Sequence, residues 1–131
     1  MSYQINILEK TKLNEFFREV LFTGAKSQLV VMCIEPGGDI GEETHPHVEQ
    51  ILFNLSGIGK VILDGVESEF KPGDVVVVTP GTKHNFINTG TEKLKIYTIY
   101  TPANHIDGTI HKTKADAVAD VKDEEFGNKV A

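Results

Sequence analysis

The residues with the clearest chemical potential fall in two glycine-bounded stretches. Glu43, His45 and Gln50 lie between Gly37 and Gly57, and His84 lies between Gly81 and Asn88, downstream of Gly73 and Thr79. A carboxylate, two imidazoles and an amide oxygen are donors that divalent transition metals accept. One residue separates Glu43 from His45, so on an extended strand both side chains leave the same face. Gln50 opens the next apolar run and can face them across a turn. Glycines that bend strands around such side chains are how a small β-barrel gathers a metal or ligand site. Each residue also has a plainer reading. Glu43 can be half of a solvated pair with Glu42, His45 and His84 can be hydrogen-bonded barrel histidines, and Gln50 can satisfy buried polar groups.

The elements that must position these residues read as strands. Gln28–Ile34 is apolar and β-branched and stops at Pro36-Gly37-Gly38; Ile51–Leu55 stops at Ser56-Gly57. Lys60–Leu63 runs into Asp64-Gly65, a two-residue hairpin signal, and Val66–Phe70 continues beyond it. Pro72-Gly73-Asp74 turns the chain into Val75–Val78, Pro80-Gly81 turns it into His84–Asn88, and Leu94–Tyr100 closes the series. Short strands with turn chemistry at regular intervals predict a sandwich or closed barrel. Phe16–Phe22 reads as a strand forming a hairpin with the next one, against a competing helix over Lys12–Arg18. Thr113-Lys114-Ala115-Asp116 has the form of a helix capping box leading into 117–121. Beyond Asp123 the chain is charged and is expected to fray. Several strands are apolar on consecutive residues, which calls for cover on both faces. A homodimer is the natural way to provide it.

The 131 residues, 14.4 kDa in mass, suit one domain spanning 1–131 with a single core. The formal charge of −6 speaks against general attraction to nucleic acid or to anionic membranes. No apolar run approaches a membrane span, and Met1–Lys10 has no basic flank before an apolar block. The single cysteine, Cys33, forms no intrachain disulfide and reads as a buried strand residue. A cytoplasmic setting is the expectation.

The counted spacing carries a resemblance. Gly37, five residues, Glu43, one, His45, four, Gln50, six and Gly57 make the first block. Gly73, five residues, Thr79, one, Gly81, two, His84, three and Asn88 make the second. This resembles the two-motif signature of the cupin superfamily over residues 37 to 88, with every spacing matched. Three positions depart from it: Glu43 stands where the family has its first His, Gln50 where it has Glu, and Thr79 where it has Pro, with Pro80 next door. Taking His45 and His47 as the His pair fails, because Ile51 and Leu52 would then hold the carboxylate position. His47 therefore belongs to the turn beside Pro46.

The resemblance implies an all-β fold, a cupin double-stranded β-helix (jelly-roll) barrel; the capping box adds a short C-terminal helix, and the segment 102–131 is expected to be partly disordered from its composition. The resemblance also implies a divalent metal ion (Fe, Mn, Ni, Cu or Zn) held by Glu43, His45, Gln50 and His84. The family commonly uses three His and one Glu, and the exchanges here keep the ligand charge at −1. Gln50 would ligate the metal or hydrogen-bond a metal-bound water. Small cupins that resemble this chain include dioxygenases, sugar-phosphate isomerases and decarboxylases, so a small organic molecule is the expected substrate. The competing reading is a non-catalytic module that senses or stores a small ligand or metal. A metal-free sugar site, the weakest reading, needs an interior basic residue, and Lys60, Lys83 and Lys95 are expected to face solvent. His105 and His111 are expected to be exposed in a loop, with a C-terminal segment folding over the barrel as the one way to bring His111 inward. Of Tyr97 and Tyr100, opposite parity lets one face the interior. Phe53 and Phe86 are expected to fill the barrel or a dimer face, and Asn88 to serve a turn.

Overall fold

The computed structural model describes residues 1–130. Nine strands follow a first helix: α1 (Ile7–Leu13), β1 (Arg18–Thr23), β2 (Gln28–Ile34), β3 (Glu49–Ser56), β4 (Gly59–Leu63), β5 (Val66–Phe70), β6 (Val75–Val78), β7 (His84–Asn88), β8 (Leu94–Thr101) and β9 (Ile110–His111), then α2 (Lys114–Ala119) and α3 (Val121–Val130). A six-stranded sheet in the order β6-β3-β8-β2-β1-β9 faces a three-stranded sheet, β5-β4-β7. Isolated bridges from Asp39 to Ile87 and from Glu43 to His84 lay the segment after β2 along the free edge of β7. The result is the jelly-roll barrel implied by the motif resemblance.

Inward residues alternate as strand geometry requires. Val30, Met32, Ile34, Leu52, Val61, Phe86 and Ile96 are buried in one cluster. Phe70 and Phe86 meet edge to face at 5.2 Å, and burying each such side chain contributes about 1.5–3 kcal/mol. Tyr100 points inward and is buried. Tyr97 lies on the outer face, stacked on Phe53 at 4.6 Å. The turns match their residues: Asp64 and Gly65 take φ of 48° and 84°, as a two-residue turn of this hand needs. Asn88 ties its turn together, donating to the Ile34 and Glu92 carbonyls and accepting from the Gly90 N–H.

The two ends depart from expectation. The first helix, Ile7–Leu13, begins upstream of the competing Lys12–Arg18 span and shares only its first two residues. Asn14 stops it by accepting from the Phe16 N–H at 3.1 Å and donating to the Phe16 carbonyl, a local alternative to another helical turn. The strand then begins at Arg18. Helix α1 packs on the outer face of the large sheet, where Val31 and Cys33 are buried, so part of the second cover is built into the chain. Lys95 is buried there, against the expectation of a solvent-facing lysine, because its Nζ reaches the Asn14 carbonyl and Glu15. Lys60 and Lys83 keep substantial exposure.

At the C-terminus the capping box forms, with the Asp116 N–H donating to Thr113 Oγ1 and the Thr113 N–H to Asp116 Oδ2. The charged tail is helical as far as Val130. It forms α3, with Asp123 buried as the acceptor for the Ile106 N–H at 2.8 Å and for His105 Nδ1 at 2.7 Å.

Candidate metal centre

Glu43 and His84 are opposite each other on paired backbone, each N–H donating to the other's carbonyl at 2.9 Å. An antiparallel pair of this kind sends both side chains to one face. His45, two residues after Glu43, joins them. One ligand atom from each of Glu43, His45 and His84 lies within 4.8 Å of the other two. The His45 and His84 rings are 5.4 Å apart at their centroids.

The protonation of His84 and Glu43 suits metal binding. His84 is only 4% exposed, and its Nδ1–H donates to the Thr82 carbonyl at 2.8 Å. That bond fixes the tautomer and leaves Nε2 as a lone-pair donor. Burial pushes His84 below its ordinary value of 6.5, outweighing the Thr82 bond, so the ring is neutral at neutral pH. Glu43 stands at the rim, 43% exposed. Loss of hydration is the largest single influence on it and pushes its pKa up. The adjacent His45, with the charges of Arg18 and His105, outweighs this and holds it below the usual carboxylate range. His45 supplies the test of fit. Its Nε2 is buried and has no hydrogen-bond partner of acceptable geometry, although Glu43 Oε2 is 2.8 Å away. A buried imidazole nitrogen without a partner calls for an explanation, and a cation shared with Glu43 and His84 provides one.

Gln50 faces the barrel interior and is buried. Its amide nitrogen donates to Thr98 Oγ1 at 3.1 Å, which leaves its carbonyl oxygen as the atom that could ligate. His47 is exposed in the turn.

A cavity of about 400 Å³ opens beside the cluster, lined by Glu43, His45, Ile40, Arg18, His105 and Asn104 and closed over by residues of α2 and α3. His105 and His111 are buried rather than exposed, because the C-terminal helices fold over the barrel mouth. His105 donates from Nδ1 to Asp123 and accepts the Tyr100 hydroxyl at 3.3 Å through Nε2. Burial pushes the Tyr100 phenol up to about 12, so it stays protonated. His111 Nδ1 lies 3.2 Å from Arg18 Nη1. Arginine only donates, so Nδ1 accepts and His111 Nε2–H donates to Asp120 Oδ2 at 2.9 Å.

A second group, His111, Asp120 and Asp123, also brings ligand-type atoms within 4.8 Å. Its atoms are already engaged: Asp120 accepts from His111 and from the Asp123 N–H, and Asp123 from His105 and Ile106. Arg18 beside it opposes a further cation, so this group is a hydrogen-bonded support.

Arg18, His105 and Asp123 are site residues that the sequence reading missed. Arg18 is the interior basic residue it did not find. The signal available was that Arg18 is the chain's only arginine.

Comparison with known proteins agrees with this geometry. A family model described as cupin domain matches residues 30–100. The uncharacterized protein YrkC of Bacillus subtilis is 43% identical over 123 residues, covering 89% of this chain and 66% of that protein. This chain thus spans just under two thirds of that relative's length. Protein L612 of Acanthamoeba polyphaga mimivirus, also uncharacterized, is 37% identical over 113 residues, covering 82% of this chain and 70% of its own length. The crystal structure of BH2720 from Bacillus halodurans superposes with a TM-score of 0.89 at 39% identity, covering 91% of this chain and 95% of that one. With its two motifs, its barrel and these relatives, the chain belongs to the cupin domain family.

Proposed function

We propose that this protein binds one divalent metal ion through Glu43, His45 and His84, with the Gln50 carbonyl oxygen as a fourth donor, and acts on a small organic molecule in the adjoining cavity. The observation that carries this is the cluster of three ligand-type side chains, in which the buried His45 Nε2 lies 2.8 Å from Glu43 Oε2 without hydrogen-bond geometry. Two imidazoles and a carboxylate suit Fe, Mn, Ni, Cu or Zn. When bound, such an ion supplies Lewis acidity toward an oxygen of the substrate. The chain's own part is to keep His84 neutral and Glu43 ionised and to border a volume fit for a small molecule.

A non-catalytic binding module is the second reading. It is favoured by the engagement of His105 and Tyr100 in fixed hydrogen bonds, which leaves neither free as a proton carrier. Elemental analysis of protein purified from its own host without added metal tests the shared claim. Oxygen uptake and turnover with small acids, thiols and sugars then separate the two readings. His84→Ala is expected to abolish stoichiometric metal binding, while His47→Ala leaves it nearly unchanged. Equal losses in both variants would mean a different ligand set.

The outer face of the large sheet supports a homodimer. The cross-strand rows Val75-Phe53-Tyr97 and Val77-Ile51-Ile99 are apolar, and Val75 and Val77 are about half exposed at 52% and 50%. Contiguous apolar surface of this kind marks an interaction face.

A further inference from the structure

Among the described residues, four buried side-chain polar atoms lack a hydrogen-bond partner, and three of them, Arg18 Nε, His45 Nε2 and Asn104 Oδ1, belong to residues lining the cavity under α2 and α3. Unsatisfied buried polar atoms are uncommon and carry a free-energy cost of about 1–3 kcal/mol each. Their gathering at a single hollow marks groups that a ligand completes. His45 is accounted for by the metal. Arg18 is not.

Arg18 opens β1, alternates inward with Val20 and is 6% exposed. No side-chain carboxylate among the described residues forms an ion pair with it. A buried guanidinium is stable only with partners, and what the chain provides is partial: the Phe17 ring 5.1 Å away, His111 on Nη1 and the neighbouring Tyr100 hydroxyl, none of which engages Nε. The Asp120–His111 bond fixes His111 as an acceptor, which anchors the Nη1 side and leaves the Nε edge unused. An arginine edge of two parallel N–H groups matches the two oxygens of a carboxylate.

We propose that Arg18 anchors the carboxylate of a small organic acid bound in this cavity, with His111 and Asp120 as positioning residues for the guanidinium. The assignment rests on reading the cavity as the substrate site and names the class of molecule it takes. Charge favours a singly charged group over a phosphate dianion. Glu43, Asp123 and Glu124 line the cavity against Arg18 and Lys114, and Lys114 is already paired with Asp39. The unpartnered Asn104 Oδ1 offers an acceptor for a hydroxyl or amino group on the same molecule.

Because Arg18 is the only arginine, its Nε–H gives a single unambiguous resonance in a proton–nitrogen spectrum of the intact protein. Pyruvate, glycolate and succinate are added to the wild type, metal-free and zinc-loaded, beside the matching amides and inorganic phosphate. The expected result is a saturable shift of the Nε–H signal with at least one carboxylate, with amides weaker by roughly tenfold or more. Arg18→Met, checked for folding by its melting transition, is expected to lose carboxylate binding by a similar factor and to keep zinc stoichiometry. Arg18→Lys should fall between the two, retaining charge without the fork. An unmoved Nε–H signal with every carboxylate, equal binding of acid and amide, tighter binding of phosphate, or a folded Arg18→Met that binds carboxylates as the wild type does would each overturn the assignment. Loss of zinc binding in wild type with carboxylate binding intact would sink the metal reading and leave this one standing.

Discussion

At the scale of single residues, the site is a matter of which nitrogen holds a proton. Thr82 fixes His84 with Nε2 free, Arg18 makes His111 an acceptor, and Asp123 claims Nδ1 of His105. Asp123 also accepts from the Ile106 backbone. Asp123→Asn is therefore expected to lower stability by roughly 1–3 kcal/mol, read by denaturant unfolding at neutral pH. The same groups set a pH dependence. Burial holds the folded-state pKa of both His84 and His105 below 6.5. As pH falls through 6.5, the unfolded chain takes up protons that the folded one refuses, so stability declines from there downward. Asp123 is held below its ordinary 3.8: desolvation pushes it up most, and the His105 contact and the Ile106 N–H outweigh that. It contributes stability above pH 3.8 that is lost as pH drops through its folded value. The melting temperature of metal-free protein should fall on acidification below pH 6.5 and fall further below pH 4; a melting temperature constant from pH 7 to pH 4 would contradict this. Glu43 and His45 were legible in the sequence because strand alternation puts residues two apart on a common face, and His84 because its motif spacing resembles the second cupin block. Arg18 was not, since its partner His111 lies 93 residues away and only the β1–β9 pairing joins them.

Among the elements, turns and hairpins were the most legible because a few residues determine them. Gly57 shows why: it has φ of +93°, and a Cβ there would sit 2.6 Å from the Lys93 carbonyl oxygen and 2.8 Å from Leu94 Cα. Gly57→Ala is expected to destabilise the fold by upwards of about 2 kcal/mol, by strain at positive φ and by contact with rigid backbone. Gly73→Ala, which also has positive φ (+91°) but open space around it, should cost less; thermal melts of the two variants compare them directly. The terminal helices were least legible. Helix α3 carries few apolar residues to announce it, and its buried residue is Asp123. A polar bond to a histidine that pattern reading places in a loop holds it, together with Val130, which packs against the core. The inner surface of β1 was hidden likewise, because parity is undetermined until the start of the strand is known.

For the whole molecule, the barrel provides a partly covered mouth and an open apolar side. The mouth is formed by motif residues on one side and by the C-terminal helices on the other. Among the described residues, no helix is long and apolar enough to cross a membrane. If the outer sheet face is a dimer interface, Val77→Lys should convert the protein to a monomer by sedimentation without changing metal stoichiometry; an unchanged mass would remove that face as the interface. The site itself is tested most directly by X-ray absorption on protein loaded with one equivalent of zinc. The expected spectrum contains two imidazoles with oxygen donors at about 2.0–2.2 Å, and His84→Ala removes one imidazole. Zinc that stays coordinated by water alone, or an imidazole signal unaltered in His84→Ala, would contradict a centre built from Glu43, His45 and His84.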